Sequence, residues 1–573
     1  MDKSTSFRGW KVAPYVFGTH KRKDPDLKTY EFSCFSIPGT EALQSMVYLT
    51  LALNLSTYAI FNLHYSPADG AKLLCDFSGT ATLLTIAGGY LSDVYISQFT
   101  GIIIGEILGT IGSVILTISA AVPALSPPLC PLFDPSCVRP TGKQTAIFYF
   151  GLYILAVGLA NIKPNAPTLG AVQFNENDPQ QKKQLLSYFN WFLFSTCIGA
   201  FPAVTVISYA QEQVNAAWGF GIPAIVLAVS IFVVCMGMPY RAKERKGSPI
   251  TGIAMVFVAA ARKWKLKSPD SIEELHQPIE DLQHLPHTNQ FLFLDRAAIR
   301  TNDEEKHSRW RLCSVTQIEE VKAVLNILPI FACTIIVSCI LSQLQTFTLL
   351  QAATLERKIG KHFVMPLASL AVFPVLAILL LMPLYDQLLV PFLRKITGNE
   401  RGISHLQRVG IGLVICTLSM VVAAIVETKR LKVARENNAL DNPAAVLPMS
   451  AFWMAFQFLV FGIGELFTVA GLLDFFYTES PENMRAMGIS LVNVSFSFGY
   501  FLSSVIVSLV NARTKPDWLP ENMNRGRLHS FYWLLAAMGA INFVNYLFWS
   551  WWYRPRMEYE SQLESFKSVE NVA

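Results

Sequence analysis

About twelve apolar runs, each close to the length that crosses a bilayer, leave this chain little choice of fold. They fall at about residues 41–62, 72–92, 101–123, 145–165, 187–209, 217–238, 321–347, 363–384, 407–427, 448–476, 486–510 and 530–552. Roughly 20 apolar residues in a helix span the hydrocarbon core, and lipid offers no partner to backbone groups outside helices or closed barrels. The runs therefore predict an all-α polytopic membrane protein with about 12 transmembrane helices. Composition agrees: 52% of the 573 residues are hydrophobic and 15% are charged, which excludes a disordered or ordinary soluble chain. The first 35 residues are polar and mixed in charge, so no cleavable signal is read there and the first run is expected to drive insertion.

A polar stretch of about 80 residues separates the sixth run from the seventh and divides the spans six and six. The expected organisation is an N-terminal segment 1–35, a bundle 36–238, a linker 239–320, a second bundle 321–553 and a tail 554–573. The linker opens with Arg241, Lys243, Arg245, Lys246, Arg262, Lys263, Lys265 and Lys267, the densest basic cluster in the chain. The positive-inside rule puts that cluster in the cytosol, and an even number of spans puts both termini there too. Lys429, Arg430, Lys432 and Arg435, read as a loop after the ninth run, fall on the opposite side and run against the rule. From Ile250, apolar positions at helical spacing lead into basic ones, which suits a helix lying on the membrane or packing on the bundle. Asp93 after the second run and Asp386 after the eighth suggest duplicated halves about a central site; ordinary loop charges would read the same way. Cys130 and Cys137 share a Pro-rich loop and are either bridged or free.

Charges inside the apolar runs are the candidate machinery. Lys163 sits near the end of the fourth run, Glu41 opens the first and Glu465 lies mid-way along the tenth. An ammonium in hydrocarbon costs several kcal/mol, so it either faces a protein interior with a partner or snorkels to the interface. Two carboxylates on other spans supply partners. Protonating one would break a pair and bias one conformation, a physical route to proton-coupled alternating access; a static ion pair gluing helices together is the rival reading. Glu106, flanked by Gly105 and Gly109, reads as a protonated or hydrogen-bonded packing element. Lys72 and Asp76 read as interfacial. Tyr48, Asn54 and Tyr58 follow Glu41 at spacings that let them line the same cavity.

The segments GLYILAVGLANIKPNAPTLGAVQF, DPQQKKQLLSYFNWFLFSTCIGAF and WGFGIPAI, with PLYDQLLVPFLRK, GISHLQRVGIGLV and FFYTESPENMRAMGISL in the second half, resemble the proton-coupled oligopeptide transporter family. The likeness runs from about Glu41 to Trp552 and is strongest to the plant nitrate and peptide transporter branch, most of all to its abscisic acid, gibberellin and nitrate transporting group. It implies a major facilitator fold of two six-helix bundles, with small-molecule substrate between them and protons driving uptake. Lys163 and Glu465 match the family's fourth-helix lysine and tenth-helix glutamate, both tied to coupling and substrate binding. Glu41 matches the first acid of the E-x-x-E-R motif.

Two departures bear on mechanism. Where the motif has its second acid and its arginine, this chain has Gln44, which cannot titrate, and Ser45, which cannot pair with a carboxylate. Coupling, if retained, rests on Glu41, Lys163 and Glu465; an uncoupled facilitator or a transport-dead sensor are the alternatives. Leu341 stands where nitrate-transporting relatives have a histidine, and Cys197 where the fifth helix usually has asparagine. The absent arginine removes a carboxylate anchor for peptides. The expected substrate is an organic anion, such as a hormone or specialised metabolite, held by Lys163, Glu465 and Tyr48, with nitrate or peptide as the alternative. No phosphate-cradling loop, H-E-x-x-H motif or nucleophile with its base is present. The reading therefore has no enzyme activity, cofactor, metal or nucleic-acid partner.

Overall fold

The computed structural model describes residues 25–553 except 129–137, 175–178, 239, 241–248, 267–274, 277–286, 301–309, 361–362, 399–401, 443–444, 482–483, 515–517 and 521. In chain order the helices are α1 (Pro25–Phe61), α2 (Pro67–Leu83), α3 (Thr85–Val94), α4 (Gln98–Ala121), α5 (Gly142–Val172), α6 (Pro179–Pro202), α7 (Trp218–Met236) and α8 (Pro249–Arg262). The second half holds α9 (Val315–Gln345), α10 (Phe347–Ala353), α11 (Val372–Leu384), α12 (Val390–Thr397), α13 (His405–Glu436), α14 (Ala455–Glu479), α15 (Arg485–Arg513) and α16 (Leu528–Trp552). Two wide turns, Ala203–Ile207 and Ala210–Val214, prolong α6 toward Val214.

Polar residues just before apolar runs set where helices begin. Ser314 and Ser404 each accept from the amide of a glutamine three residues on, and Gln317 and Gln407 reach back to the serine amides. Each reciprocal cap satisfies amides that a helix start would leave bare and is worth about 1 kcal/mol. Glycine sets how close the helices come. A Cβ on Gly158 of α5 would lie 2.5 Å from the amide nitrogen of Gly109 on α4. In the second half a Cβ on Gly412 of α13 would lie 2.7 Å from that of Thr468 on α14. Corresponding helix pairs of the two halves thus use the same small-residue packing, which lets backbones touch where lipid supplies no hydrophobic drive.

α1 to α7 pack among themselves, as do α9 to α16. The two bundles meet where α2, α3 and α5 face α15 and where α6 faces α11 and α14. Ten of the described helical segments are long and apolar enough to cross a membrane. The first two expected runs fall in α1 and in the broken pair α2 and α3, which are more polar. In α1 the polar side chains Gln44, Thr50, Asn54 and Ser56 are buried, so they turn toward protein rather than lipid.

The structure corrects three sequence expectations and resolves a fourth that the sequence leaves open. Residues 427–436 are not a loop: α13 continues to Glu436, and Arg430 and Glu427 are each 0% exposed and paired at 2.7 Å. Arg430 also donates to Thr354 Oγ1, to Asn524 Oδ1 and to the Met523 carbonyl. It is a staple inside the second bundle, so it does not count as a loop charge in the topology rule. Lys263 is likewise buried, its ammonium donating to the Ile299 carbonyl at 2.7 Å. α1 begins at Pro25, well before its apolar run. Of the two settings open to the amphipathic stretch after Ile250, α8 takes the packed one: Val256, Ala259 and Ala260 join Leu294, Ala297, Ala298 and Ile318 in a small core beside the start of α9. Cys130 and Cys137 lie outside the described residues, as do Arg241, Lys243, Arg245, Lys246 and Lys267 of the basic cluster.

The linker is fastened to α9 by charge. His287, Asp295 and Glu319 have the spacing of metal ligands, but the Lys322 ammonium already stands among them, 2.7 Å from Asp295 and 2.8 Å from Glu319. The cation this acidic group needs is supplied by the chain itself.

Candidate substrate and proton site

One face of α1 carries Glu41, Gln44, Ser45 and Tyr48, since positions i, i+3, i+4 and i+7 share a side of a helix. α5 brings Lys163 to that face. Its Nζ lies 3.1 Å above the centroid of the Tyr48 ring, a cation–π contact that strengthens away from water. Glu41 is close enough for its charge to act on Lys163, yet the two form no direct ion pair among the described residues. Instead Glu41 Oε1 accepts from Thr196 Oγ1 of α6 at 3.0 Å. Ser45 donates to the carbonyl of the same Thr196 at 2.7 Å.

Tyr48 also joins the bundles. Its hydroxyl interacts with that of Tyr500 on α15, which donates to Gln345 Oε1 of α9 at 2.8 Å. A polar thread therefore runs from Lys163 through Tyr48 and Tyr500 to Gln345. Glu465 stands apart from it. The structure sets it by the thiols of Cys197 on α6 and Cys416 on α13, and among the described residues it has neither a hydrogen bond nor an ion pair. Lys163, Glu41 and Tyr48 are thus brought together, while Glu465 stands by Cys197 and Cys416. Leu341 is half-buried and packs on the main core; the polar work at that level of α9 falls to Ser342 and Gln343, which both meet Ser503.

Two residues expected to line the cavity do not. Asn54 is buried and donates to Ser208 and to the Thr50 carbonyl. Tyr58 packs between Phe148 and Phe220. Lys72 and Asp76 lie inside α2 rather than at its end, and with Tyr65, Asp69, Arg139 and Tyr149 they line a cavity of about 430 Å³.

The bundles are clamped on both sides of the Lys163 level. Mid-way along α6, Asn190 donates to Asp386 at 3.0 Å and accepts from Arg408, whose guanidinium lies over Tyr385. Phe189 meets Tyr477 of α14 nearby, at 5.1 Å between centroids. At the far end Glu212 takes Arg357 at 2.8 Å and the Leu367 amide at 2.9 Å. The two clamps are 22 residues apart in the chain, about 33 Å along a helix at 1.5 Å per residue. None of Asn190, Arg408, Glu212 or Tyr500 stands out in the sequence. Three lie near the ends of apolar runs and read as interface polarity, and a tyrosine among apolar residues reads as packing.

Residues 99–524 match the POT family. Protein NRT1/ PTR FAMILY 4.3 of Arabidopsis thaliana is 41% identical over 529 residues, covering 90% of this chain and 88% of that one. The chain belongs to the POT family. Protein NRT1/ PTR FAMILY 4.6 of the same plant is 40% identical over 549 residues, with 90% and 92% covered. Among solved structures, an auto-inhibited POT family peptide transporter superposes with a TM-score of 0.62 at 18% identity, covering 91% of this chain and 96% of that one. A POT family transporter in complex with 5-aminolevulinic acid gives 0.55 at 13% identity, covering 89% and 96%. At such identity these two show the fold, which is the major facilitator arrangement of two six-helix bundles. The protein is a multi-pass membrane transporter of the POT family and not an enzyme.

Proposed function

We propose that this POT family member takes up an organic anion by proton-coupled alternating access. The observation that carries the reading is the state of Lys163: an intramembrane ammonium held by the Tyr48 ring, with Glu41 in its field but not bonded to it. Such a cation can accept a substrate carboxylate without first breaking a strong ion pair, whereas a fully paired one would have to be stripped. A proton on Glu41 removes the competing negative charge and frees Lys163 for substrate; loss of that proton favours release. Glu465, near Cys197, is the second proton-carrying group, on the face of α6 turned to the other bundle. The bundles, taken as 36–238 and 321–553, rock about this level, with both termini and the linker 239–320 in the cytosol and the plasma membrane as the place of work.

The substrate favoured is a hormone or specialised-metabolite carboxylate, because Lys163 is the clear cation of the site and Leu341 offers nothing to a bare inorganic anion. Relatives in complex with alafosfalin and with 5-aminolevulinic acid support a site of small organic size. Uptake of labelled abscisic acid, gibberellin, nitrate and a dipeptide into proteoliposomes, with and without a protonophore, tests the reading. Protonophore-sensitive uptake of an organic acid is expected. A strong signal for nitrate alone would overturn it.

An uncoupled facilitator is the second reading, favoured by Gln44 and Ser45: the Ser45 hydroxyl is committed to Thr196 and carries no charge. Gln44→Glu with Ser45→Arg should steepen the pH dependence of uptake if coupling in the native chain is weak. An unchanged pH profile would count against that account.

A further inference from the structure

Gln44 cannot titrate, yet a carboxyl lies opposite its amide. Glu106, mid-way along α4, is 0% exposed. Ser230 on α7 donates its hydroxyl to Glu106 Oε1 at 2.5 Å. Among the described residues neither Glu106 Oε2 nor Gln44 Nε2 has a hydrogen-bond partner, and the Gln44 amide lies close enough to act on the carboxyl. The neighbouring Gly105 lies against Ile162 and Asn161 of α5, which puts Glu106 at the depth of Lys163.

Three helices therefore converge on one enclosed carboxyl: α7 satisfies one oxygen, and α1 offers the other an amide that is not yet engaged. A merely structural carboxyl in so dry a place would be expected to have both oxygens satisfied. The elements around it bring Glu41 and Tyr48 from α1, Asp93 from α3, Tyr149, Tyr153 and Lys163 from α5 and Cys235 from α7. Among the described residues, none of these is within hydrogen-bonding or ion-pairing distance of Glu106. The polar side chains that face its carboxyl are therefore Ser230 and Gln44.

We propose that Glu106 is a second proton-binding carboxyl of the first bundle, read out by rotation of the Gln44 amide. The inference deepens the proton-coupled reading above and rests on it for its physiological meaning. In the charged state both oxygens accept, Oε1 from Ser230 and Oε2 from Gln44 Nε2. A proton delivered by water binds Oε2, which then becomes a donor, and the amide turns to present its own oxygen. An amide carries both a donor and an acceptor, so one side chain serves both states and α1 registers the proton as a change of contact.

The test uses the full-length protein in lipid vesicles and infrared difference spectra between acidic and alkaline buffer, which report the carbonyl stretch of protonated carboxyls. One titrating band should be lost in Glu106→Gln and retained in Glu41→Gln and Glu465→Gln. Gln44→Leu should shift both its frequency and its midpoint, which keeps the test alive should Glu106→Gln fail to fold. No loss of a titrating band in Glu106→Gln, or an unshifted band in Gln44→Leu, would overturn the proposal. Protonophore-insensitive uptake by the native chain would remove the coupling reading while leaving the band in place. Loss of the band's pH dependence with coupled uptake intact would remove Glu106 alone.

Discussion

Two of the buried cations, one in each bundle, are held in opposite ways. Arg430 in α13 is sealed in the second bundle by both oxygens of Glu427, by Thr354, by Asn524 and by the Met523 carbonyl, while Glu427 also takes Gln351 at 2.5 Å. Lys163 in α5 has the face of one ring and a carboxylate at a distance. A buried charge with every hydrogen bond made is a fixed point, because disturbing it strands its partners. One with soft partners can change them cheaply. The contrast separates architecture from machinery by how fully each charge is satisfied, even though both residue types look equally costly in an apolar run.

That contrast can be broken most forcefully at Arg430. Glu427→Gln should leave the guanidinium short of a counter-charge and destabilise the protein by about 3–5 kcal/mol, read as a large drop in thermal unfolding temperature in detergent. Replacing both partners with apolar residues of similar size should recover much of the loss. If Glu427→Gln instead melts normally and only transport suffers, the staple assignment is wrong. Next in size, Lys163→Ala should fold with near-native stability yet lose transport about 30-fold, the equivalent of a desolvated cation–π contact worth about 2 kcal/mol. Normal kinetics would take Lys163 out of the mechanism. Tyr48 refines the point: Tyr48→Ala should cost about tenfold in uptake and Tyr48→Phe less, since the ring is kept and only the link to Tyr500 is cut. Smallest is the clamp at Glu212. Arg357 and Glu212 are partly exposed, so Glu212→Gln should change stability by no more than about 1 kcal/mol, with its effect showing in the rate of access.

The two six-helix bundles and the membrane depth of Glu41 and Lys163 are legible in the sequence, because apolar runs of spanning length and a charge in hydrocarbon are conspicuous on their own. Partnerships are not. Arg430 read as a loop charge because its helix runs about ten residues beyond the apolar stretch, and only the packed bundle shows that the extension is enclosed. Glu465 reads as a partner of Lys163 because three charges on three helices invite one cavity; which neighbours each charge meets depends on helix rotation, which spacing within a single helix does not fix. Tyr500 and Asn190 carry no charge, so their roles come from whom they meet across the bundle interface, and Gln345 enters only through Tyr500.

The helix α6 deserves a last consequence of its own. Thr196 holds Glu41, and the very next residue, Cys197, borders Glu465. A Cβ on Gly199, one turn along, would run into the Ala42 carbonyl, so α1 and this rod are pressed together without slack. A single tilt of the rod must therefore alter the surroundings of both acids in the same stroke. Any added bulk at Gly199 would be felt by both carboxyls, as if by two pans hung from one beam.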